Sequence, residues 1–371
     1  MSSFDQTQRR IPFADRIHID LPLLTGLLLL SLFGLLVIYS ASGGDPGMMT
    51  RQLTRLGIAF MVLFVAAQVP PHWLKIITFW LFVGGLLMLI AVPLVGETHK
   101  GAQRWLNLGV VLIQPSEMMK LIIPMMVAAY LSERTLPPPP KQQLIAALLI
   151  IIPVLLIAKQ PDLGTSLLIA SSGFFVLFLA GISWRMIGGL AVSAAAILPI
   201  LWFYLMKPYQ KQRVLTFLNP ESDPRGTGYH IIQSKIAIGS GGGFGKGWLN
   251  GTQSQLEFLP ERHTDFIFAV LAEELGLLGV VVLFSLYLFI IFRGLYIAAQ
   301  AQETYTRLLA GGITMIFFTY FFVNVGMVSG LLPVVGLPLP MVSYGGTSMV
   351  TLMAAFGILM SIQTHRRLLD Q

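Results

Sequence analysis

Long apolar runs separated by short polar connections dominate the sequence. A helix needs about 20 mostly apolar residues to cross the hydrocarbon core of a bilayer. The apolar positions are continuous rather than alternating, which favours helices over strands. Ten runs fit this pattern: 21–39, 53–69, 74–95, 116–131, 144–158, 163–180, 186–205, 266–292, 308–328 and 344–362. We therefore predict an all-α integral membrane protein with about ten transmembrane helices, in which residues 1–371 form one multi-pass domain.

Lysine and arginine in short loops indicate the orientation of such a bundle. With the N-terminus inside, the outer short loops hold five basic residues: Arg51, Arg55, Lys100, Arg104 and Lys159. The inner segments then hold eleven: Arg9, Arg10, Arg16, Lys75, Arg134, Lys141, Arg185, Arg293, Arg307, Arg366 and Arg367. This bias predicts cytoplasmic tails at 1–20 and 363–371. The first apolar run exceeds the core of about 7–15 residues in a cleaved signal peptide, so we expect it to be retained.

Composition supports the membrane class and limits the chemistry. The chain is 55% hydrophobic and 11% charged, whereas soluble domains carry about 25% charged residues. It has no cysteine, which excludes disulfides, thiolate metal sites and a cysteine nucleophile. The net charge is +7. Because the basic residues flank apolar spans, they favour anionic lipid or a phosphate-bearing substrate over nucleic acid.

One long connection, residues 206–265, lies outside in this topology, between the seventh and eighth spans. It contains the glycine-rich stretch Gly-Ser-Gly-Gly-Gly-Phe-Gly-Lys-Gly at 239–247. A nucleotide-binding P-loop requires glycine where Ser240 stands and serine or threonine where Gly247 stands. We therefore predict a flexible glycine loop rather than a nucleotide site.

Ionisable residues within or at the rim of a membrane are rare and usually functional. Asp265 ends the long connection beside His263, and Asp162 stands at the outer mouth of the sixth span. Each carboxylate has an alternative role as a helix N-cap. His263 is a candidate general base or metal ligand, although no second histidine or cysteine stands at ligand spacing.

Glu117 and Lys120 lie one helical turn apart in the fourth span. They predict either a structural ion pair or a cavity wall in which Lys120 faces substrate phosphates and Glu117 holds it. Glu273 and Glu274, two turns beyond Asp265, are better explained as packing or charge-balancing groups.

Prolines and glycines interrupt the apolar segment 333–348, which also contains Ser343. Irregular backbone at membrane depth is tolerated where it is buried or lines a cavity. The segment is thus either a plain outer loop or a re-entrant wall of an active-site cavity.

Several motifs resemble the SEDS family, the shape, elongation, division and sporulation proteins, over nearly the whole chain. They are Lys-Gly-Ala-Gln-Arg-Trp at 100–105, Gln-Pro-Ser-Glu at 114–117, Gln-Pro-Asp-Leu-Gly-Thr-Ser at 160–166, Leu-Pro-Glu-Arg-His-Thr-Asp-Phe at 259–266 and Ser-Tyr-Gly-Gly-Thr-Ser at 343–348. The stretch 245–266 is most similar to the elongation members. The resemblance implies a ten-helix bundle and glycosyl transfer from lipid II to peptidoglycan. It also implies a class B penicillin-binding protein as partner within an elongation complex, and Asp265 as the catalytic residue.

The residues agree with this chemistry. Outside the membrane, a polymerase needs a pre-activated donor, a carboxylate base for the acceptor hydroxyl and cations for the departing pyrophosphate. The predicted substrate-binding residues are Arg51, Arg104, Glu117, Lys120, Lys159, Asp162, Arg213, His263 and Ser343. A divalent cation, Mg²⁺ or Mn²⁺, is a further candidate, and the predicted location is the bacterial inner membrane. A lipid II flippase and a non-catalytic scaffold are the competing functions.

Overall fold

The structure is a computed structural model that describes residues 17–99, 102–107, 109, 112–160, 162–206, 208–223, 226–256, 258–259 and 261–365. The predicted basic residues Arg9, Arg10, Arg16, Lys100, Arg366 and Arg367 lie outside these ranges. Thirteen α-helices are described: α1 Leu21–Ala41, α2 Pro46–Ala67, α3 Pro71–Val95, α4 Pro115–Ser132, α5 Pro140–Lys159, α6 Leu163–Leu179, α7 Trp184–Ile200, α8 Pro208–Leu218, α9 Thr227–Gly241, α10 Thr252–Gln255, α11 Ile267–Gln300, α12 Thr304–Val328 and α13 Thr347–Thr364.

The ten predicted spans correspond to α1–α7 and α11–α13, which confirms the predicted bundle of about ten membrane helices. Among the described helices, seven are long and apolar enough to cross a membrane: α1, α2, α3, α5, α11, α12 and α13. Helix α4 has 18 residues, as α13 does, but is not among these seven, and α6 and α7 are shorter, at 17 residues each. A π-helical turn, Leu201–Leu205, extends α7. None of the described side chains of α7 itself is buried.

Proline and aspartate determine where many helices begin. Proline lacks an amide proton and has a fixed φ, so the first helical turn accepts it without loss. Helices α2, α3, α4, α5 and α8 all start at a proline. Asp20 caps α1 by accepting a bond from Leu23 N at 2.9 Å. It also receives a bidentate pair from Arg293 of α11, which ties the start of α1 to α11.

The centre of the bundle is an aromatic cluster between α11, α12 and α13. Tyr287 stacks on Phe321 and Phe317 with ring centroids 4.4 and 5.3 Å apart, and Phe317 meets Phe356 edge-on at 5.0 Å. The Tyr287 hydroxyl donates to the carbonyl of Pro340 at 2.5 Å. The buried core is therefore bonded directly to the irregular segment between α12 and α13.

Two connections between the spans contain regular structure. A small antiparallel sheet of β1 Glu97–His99, β2 Ala102–Asn107 and β3 Leu112–Ile113 links α3 to α4. The long connection 206–265 includes the helices α8, α9 and α10. Its helix α9 packs on α11, with Ile231 only 2% exposed. Ile231 therefore faces the protein.

The glycine loop at 239–247 was predicted to be flexible, but in the structure its backbone is bonded to α11. Helix α11 breaks at Gly276, where φ is +62°, and the loop pairs with the broken turn through its backbone. The four bonds are Lys246 N to Glu273 O (3.0 Å), Gly247 N to Glu274 O (3.0 Å), Leu277 N to Gly242 O (2.9 Å) and Leu278 N to Gly243 O (3.2 Å). An unbroken helix would join the carbonyls of residues 273 and 274 to the amides of 277 and 278. The loop therefore supplies the partners that the break removes.

Side chains reinforce this pairing. The carboxylate of Glu273, which is fully buried, accepts from Lys246 Nζ (2.7 Å), Thr252 Oγ1 (3.0 Å) and Gln253 N (3.0 Å). Glu274 accepts from Ser40 Oγ of α1 at 2.7 Å. These contacts agree with the structural role expected for both glutamates. They hold the long connection 206–265 on α11, the helix that follows Asp265.

Candidate active site

Asp265 lies directly before α11 and is partly exposed. The N-cap residue of α11 is Phe266, whose side chain makes no capping hydrogen bond. Asp265 stands one residue before this N-cap. Its carboxylate faces the backbone of Gly336, where a β-carbon would lie 3.4 Å from Oδ2.

The irregular segment 329–346 between α12 and α13 forms a wall beside Asp265. Its backbone reaches left-handed conformations at Gly330, Gly336 and Met341. Three bonds join main-chain carbonyls of residues 263–265 to this wall and to Asn324 of α12. The bonds are Tyr344 N to His263 O (2.8 Å), Ser343 Oγ to Thr264 O (2.5 Å) and Asn324 Nδ2 to Asp265 O (2.9 Å). Asn324 also donates to Leu337 O at 2.6 Å. Ser343 and His263 thus lie in the framework that positions Asp265.

A second carboxylate stands against the same wall. Asp162 caps α6 by accepting from Thr165 N at 3.2 Å, and its other oxygen lies 3.5 Å from Arg104 Nη1 of β2. Gln114 donates to it at 3.3 Å. At Gly164, two residues further on, a β-carbon would lie 2.8 Å from Val335 O of the wall. Asp162 is therefore both a cap and part of a polar cluster with Arg104.

Glu117 and Lys120 form an ion pair at 2.5 Å within α4. Lys120 is 4% exposed and Glu117 is 9% exposed. Lys120 also donates a very short hydrogen bond to the hydroxyl of Tyr320 on α12. In this structure Lys120 is thus enclosed by protein groups instead of facing an open cavity. Tyr320 was not a candidate, because an aromatic residue in an apolar helix carries no sequence signal of a polar contact.

Helix α2 supplies two cations beside the wall. Arg51 Nε donates to Tyr344 Oη at 3.3 Å and lies 3.9 Å from Asp45. The guanidinium of Arg55 stacks over the Tyr344 ring, 4.4 Å from its centroid. Arg55 was counted among the outer basic residues but was not a predicted site residue. Both arginines contact the residue whose amide is bonded to His263 O.

The two remaining cations lie on other elements. Lys159 is exposed at the end of α5. Arg213 is on α8, which packs against α9. Within the described residues, no group of three or more histidines or acidic residues has the arrangement of a metal site. The divalent cation therefore stays a prediction.

His230 of α9 is another residue that the sequence did not single out. Its ring stacks on Phe266 with centroids 5.6 Å apart and an interplanar angle of 26°. Burial lowers the pKa of His230, and the negative charges of Glu261 and Asp223 oppose that shift. A neutral imidazole thus packs against the residue that follows Asp265.

The arrangement defines a multi-pass membrane protein with a carboxylate site at one rim. Asp265 stands against a rigid backbone wall, and Asp162, Arg104, Arg51 and Arg55 surround the same region. A fixed carboxylate can accept a proton from a hydroxyl group. Nearby guanidinium groups can stabilise a phosphate or pyrophosphate through charge-assisted hydrogen bonds.

Comparison with known proteins identifies the class. Residues 21–368 match the family model described as "Cell cycle protein", and the chain belongs to this family, the SEDS family that its motifs indicate. It is 57% identical to the peptidoglycan glycosyltransferase MrdB of Escherichia coli K12, covering 97% of each chain. It is 37% identical to a probable peptidoglycan glycosyltransferase FtsW of Geobacter metallireducens, covering 94% and 95% of the two chains.

Two solved structures share the fold. A chain of a peptidoglycan synthase complex, described as coordinating polymerization and crosslinking, is 32% identical with a TM-score of 0.82. The match covers 94% of this chain and 98% of that one. The rod shape determining protein RodA of Thermus thermophilus is 28% identical with a TM-score of 0.71, covering 94% and 97%. The predicted family and fold are thus confirmed.

Proposed function

We propose that this protein is a peptidoglycan glycosyltransferase that polymerises lipid II into β-1,4 glycan strands during cell elongation. The observation that carries the proposal is the placement of Asp265. It is a partly exposed carboxylate one residue before the N-cap of its helix, and the backbone of residues 263–265 is bonded to the wall and to α12. The names of the similar proteins MrdB and FtsW support the same activity.

In this mechanism Asp265 accepts the proton of the acceptor 4-hydroxyl as that oxygen attacks the anomeric carbon of the donor. The bond from that carbon to the pyrophosphate oxygen breaks, and undecaprenyl pyrophosphate leaves. Arg51, Arg55 and Arg104 supply positive charge for the leaving group. The reaction inverts configuration, because the donor linkage is α and the polymer is β.

We further propose that the protein lies in the bacterial inner membrane with both termini cytoplasmic and Asp265 on the outer side. A class B penicillin-binding protein is the proposed partner, because glycan strands must be crosslinked where they are made. The similarity to a chain of a peptidoglycan synthase complex supports such an assembly.

The test is polymerisation of lipid II by purified protein, alone and with its partner, followed on a gel. Asp265→Asn should lower the rate by on the order of 10²–10⁴, because the amide cannot take a proton. Glu133→Gln is the matched control, since this carboxylate is 65% exposed and pairs with Lys75 at 3.4 Å, on the predicted inner side. The control should polymerise like the parent protein.

The competing functions give different results. A lipid II flippase would move the lipid between leaflets without forming glycan strands. A non-catalytic scaffold would make no polymer as a purified protein. Normal polymer from a well-folded Asp265→Asn protein would disprove the assignment of the base.

A further inference from the structure

Lys120 is held by two hydrogen-bond acceptors, one on its own helix and one on α12. Glu117, one turn earlier on α4, accepts one bond, and Tyr320 on α12 accepts another. Tyr320 is 1% exposed. A buried ammonium is stable only when its protons have acceptors, because no water replaces them. The hydroxyl of Tyr320 is therefore part of the environment that keeps Lys120 charged and in place.

The same helix also holds Asp265. Asn324 stands four residues after Tyr320, and residues at this spacing share one face of a helix. Asn324 donates to the carbonyls of Asp265 and Leu337. One turn of α12 thus contacts the buried cation through Tyr320 and the segment of the proposed base through Asn324.

Tyr320 is also close to the wall. Its side chain lines a narrow space with Lys120 and Leu352, and a second one with Pro338 and Ser343. Movement of the tyrosine would therefore disturb the lysine and the wall together. In a packed interior such displacements are transmitted instead of being absorbed.

We propose that Tyr320 is a positioning residue, which joins the buried Lys120 to the wall beside Asp265 and so maintains the geometry of the proposed base without contacting substrate. This inference rests on the proposed glycosyltransferase function. Small errors in the placement of reacting groups reduce the rate of the chemical step more than they reduce substrate binding.

The test is Tyr320→Phe in the purified complex with its partner. This change removes only the hydroxyl and keeps the buried ring. Tyr305→Phe is the matched control, because Tyr305 is on the same helix, is 2% exposed and lies beside Thr78 rather than a charged group. We expect Tyr320→Phe to lower kcat per folded molecule by about tenfold with apparent KM for lipid II within about twofold. Tyr305→Phe should retain the parent kcat.

A second measurement is independent of activity. Tyr320→Phe should lower the melting temperature of the parent, but it should have little effect in the double variant Glu117→Gln, Lys120→Met, where there is no ammonium to hold. An unchanged kcat per folded molecule, or equal melting shifts in both backgrounds, would overturn the proposal. If the parent makes no glycan, the proposed function fails, and the melting comparison alone still decides whether Tyr320 acts on Lys120.

Discussion

A β-carbon on Gly276 would lie 2.3 Å from the backbone nitrogen of Gly245. The reverse contact is also close, since a β-carbon on Gly245 would lie 2.7 Å from Gly276 N and 2.1 Å from Glu274 O. Both glycines also have positive φ, of +62° and +79°. The two residues therefore need to be glycine for conformation and for space. Their contact is the point at which the glycine loop meets the break in α11.

Replacing Gly245 should weaken the packing of the glycine loop against α11. Gly245→Ala adds a methyl group against backbone atoms and strains a left-handed residue, which costs about 1–3 kcal/mol for the conformation alone. We expect a lower melting temperature in detergent and reduced polymerisation. Gly243→Ala is the control, because a β-carbon there meets nothing within 4 Å. Equal melting temperatures for the two variants would contradict the inference that the glycine loop packs against the break in α11.

Ser343 joins the wall to the Asp265 segment, so its removal should impair both stability and activity. Ser343→Ala leaves Thr264 O without its donor and Leu339 N without its acceptor. Unsatisfied buried groups cost about 1–3 kcal/mol each. The comparison is Ser172→Ala, a fully buried serine that bonds only within its own helix, to Ile169 O. Thermal melting and the lipid II assay should show a larger loss for Ser343→Ala; similar losses would argue against a special role.

The stability of the outer side should fall on acidification. The pKa of His230 is lowered from 6.5 in the folded protein, so below about pH 6.5 the unfolded chain takes up the proton more readily and folding is disfavoured. Above that pH both states are neutral and the effect vanishes. His230→Phe keeps the stack on Phe266 and removes the titration. Melting temperatures between pH 5 and 8 should therefore decline less towards acid pH for the variant, and parallel curves would contradict this.

The proposed orientation can be tested with single cysteines, because the natural chain has none. Phe244 is 86% exposed in the outer segment, and Trp184 is 83% exposed at the predicted inner start of α7. An impermeant maleimide added to intact cells should label Phe244→Cys and not Trp184→Cys. The opposite pattern would place Asp265 in the cytoplasm and remove the basis of the proposed reaction.

The features that could be predicted from the sequence are those that depend on a local pattern of residues. Apolar runs located the spans, because hydrophobicity is a local property, whereas the helices beginning at Pro46 and Pro140 start several residues before the predicted runs at 53 and 144. Asp265, Asp162 and Ser343 were found because polar residues interrupt apolar segments. All three lie at or beside the same wall in the structure.

Contacts between residues that are far apart in the sequence leave no local pattern from which they can be predicted. Tyr320 meets Lys120 across 200 positions, and nothing about an aromatic residue in an apolar helix indicates a polar partner. The glycine loop was misjudged for a related reason. Its partner is a break marked by one glycine, Gly276, within an apolar helix, so a docked loop and a flexible one have the same sequence pattern.

The carbonyl oxygens of His263, Thr264 and Asp265 attach this segment to the wall and to α12. Every amino acid carries such an oxygen, so this attachment does not depend on which side chains occupy positions 263 and 264. Evolution can therefore alter those two side chains, and with them the recognition of substrate, while the proposed base keeps its location. The anchoring of the reactive group and the tuning of specificity are separable in this fold.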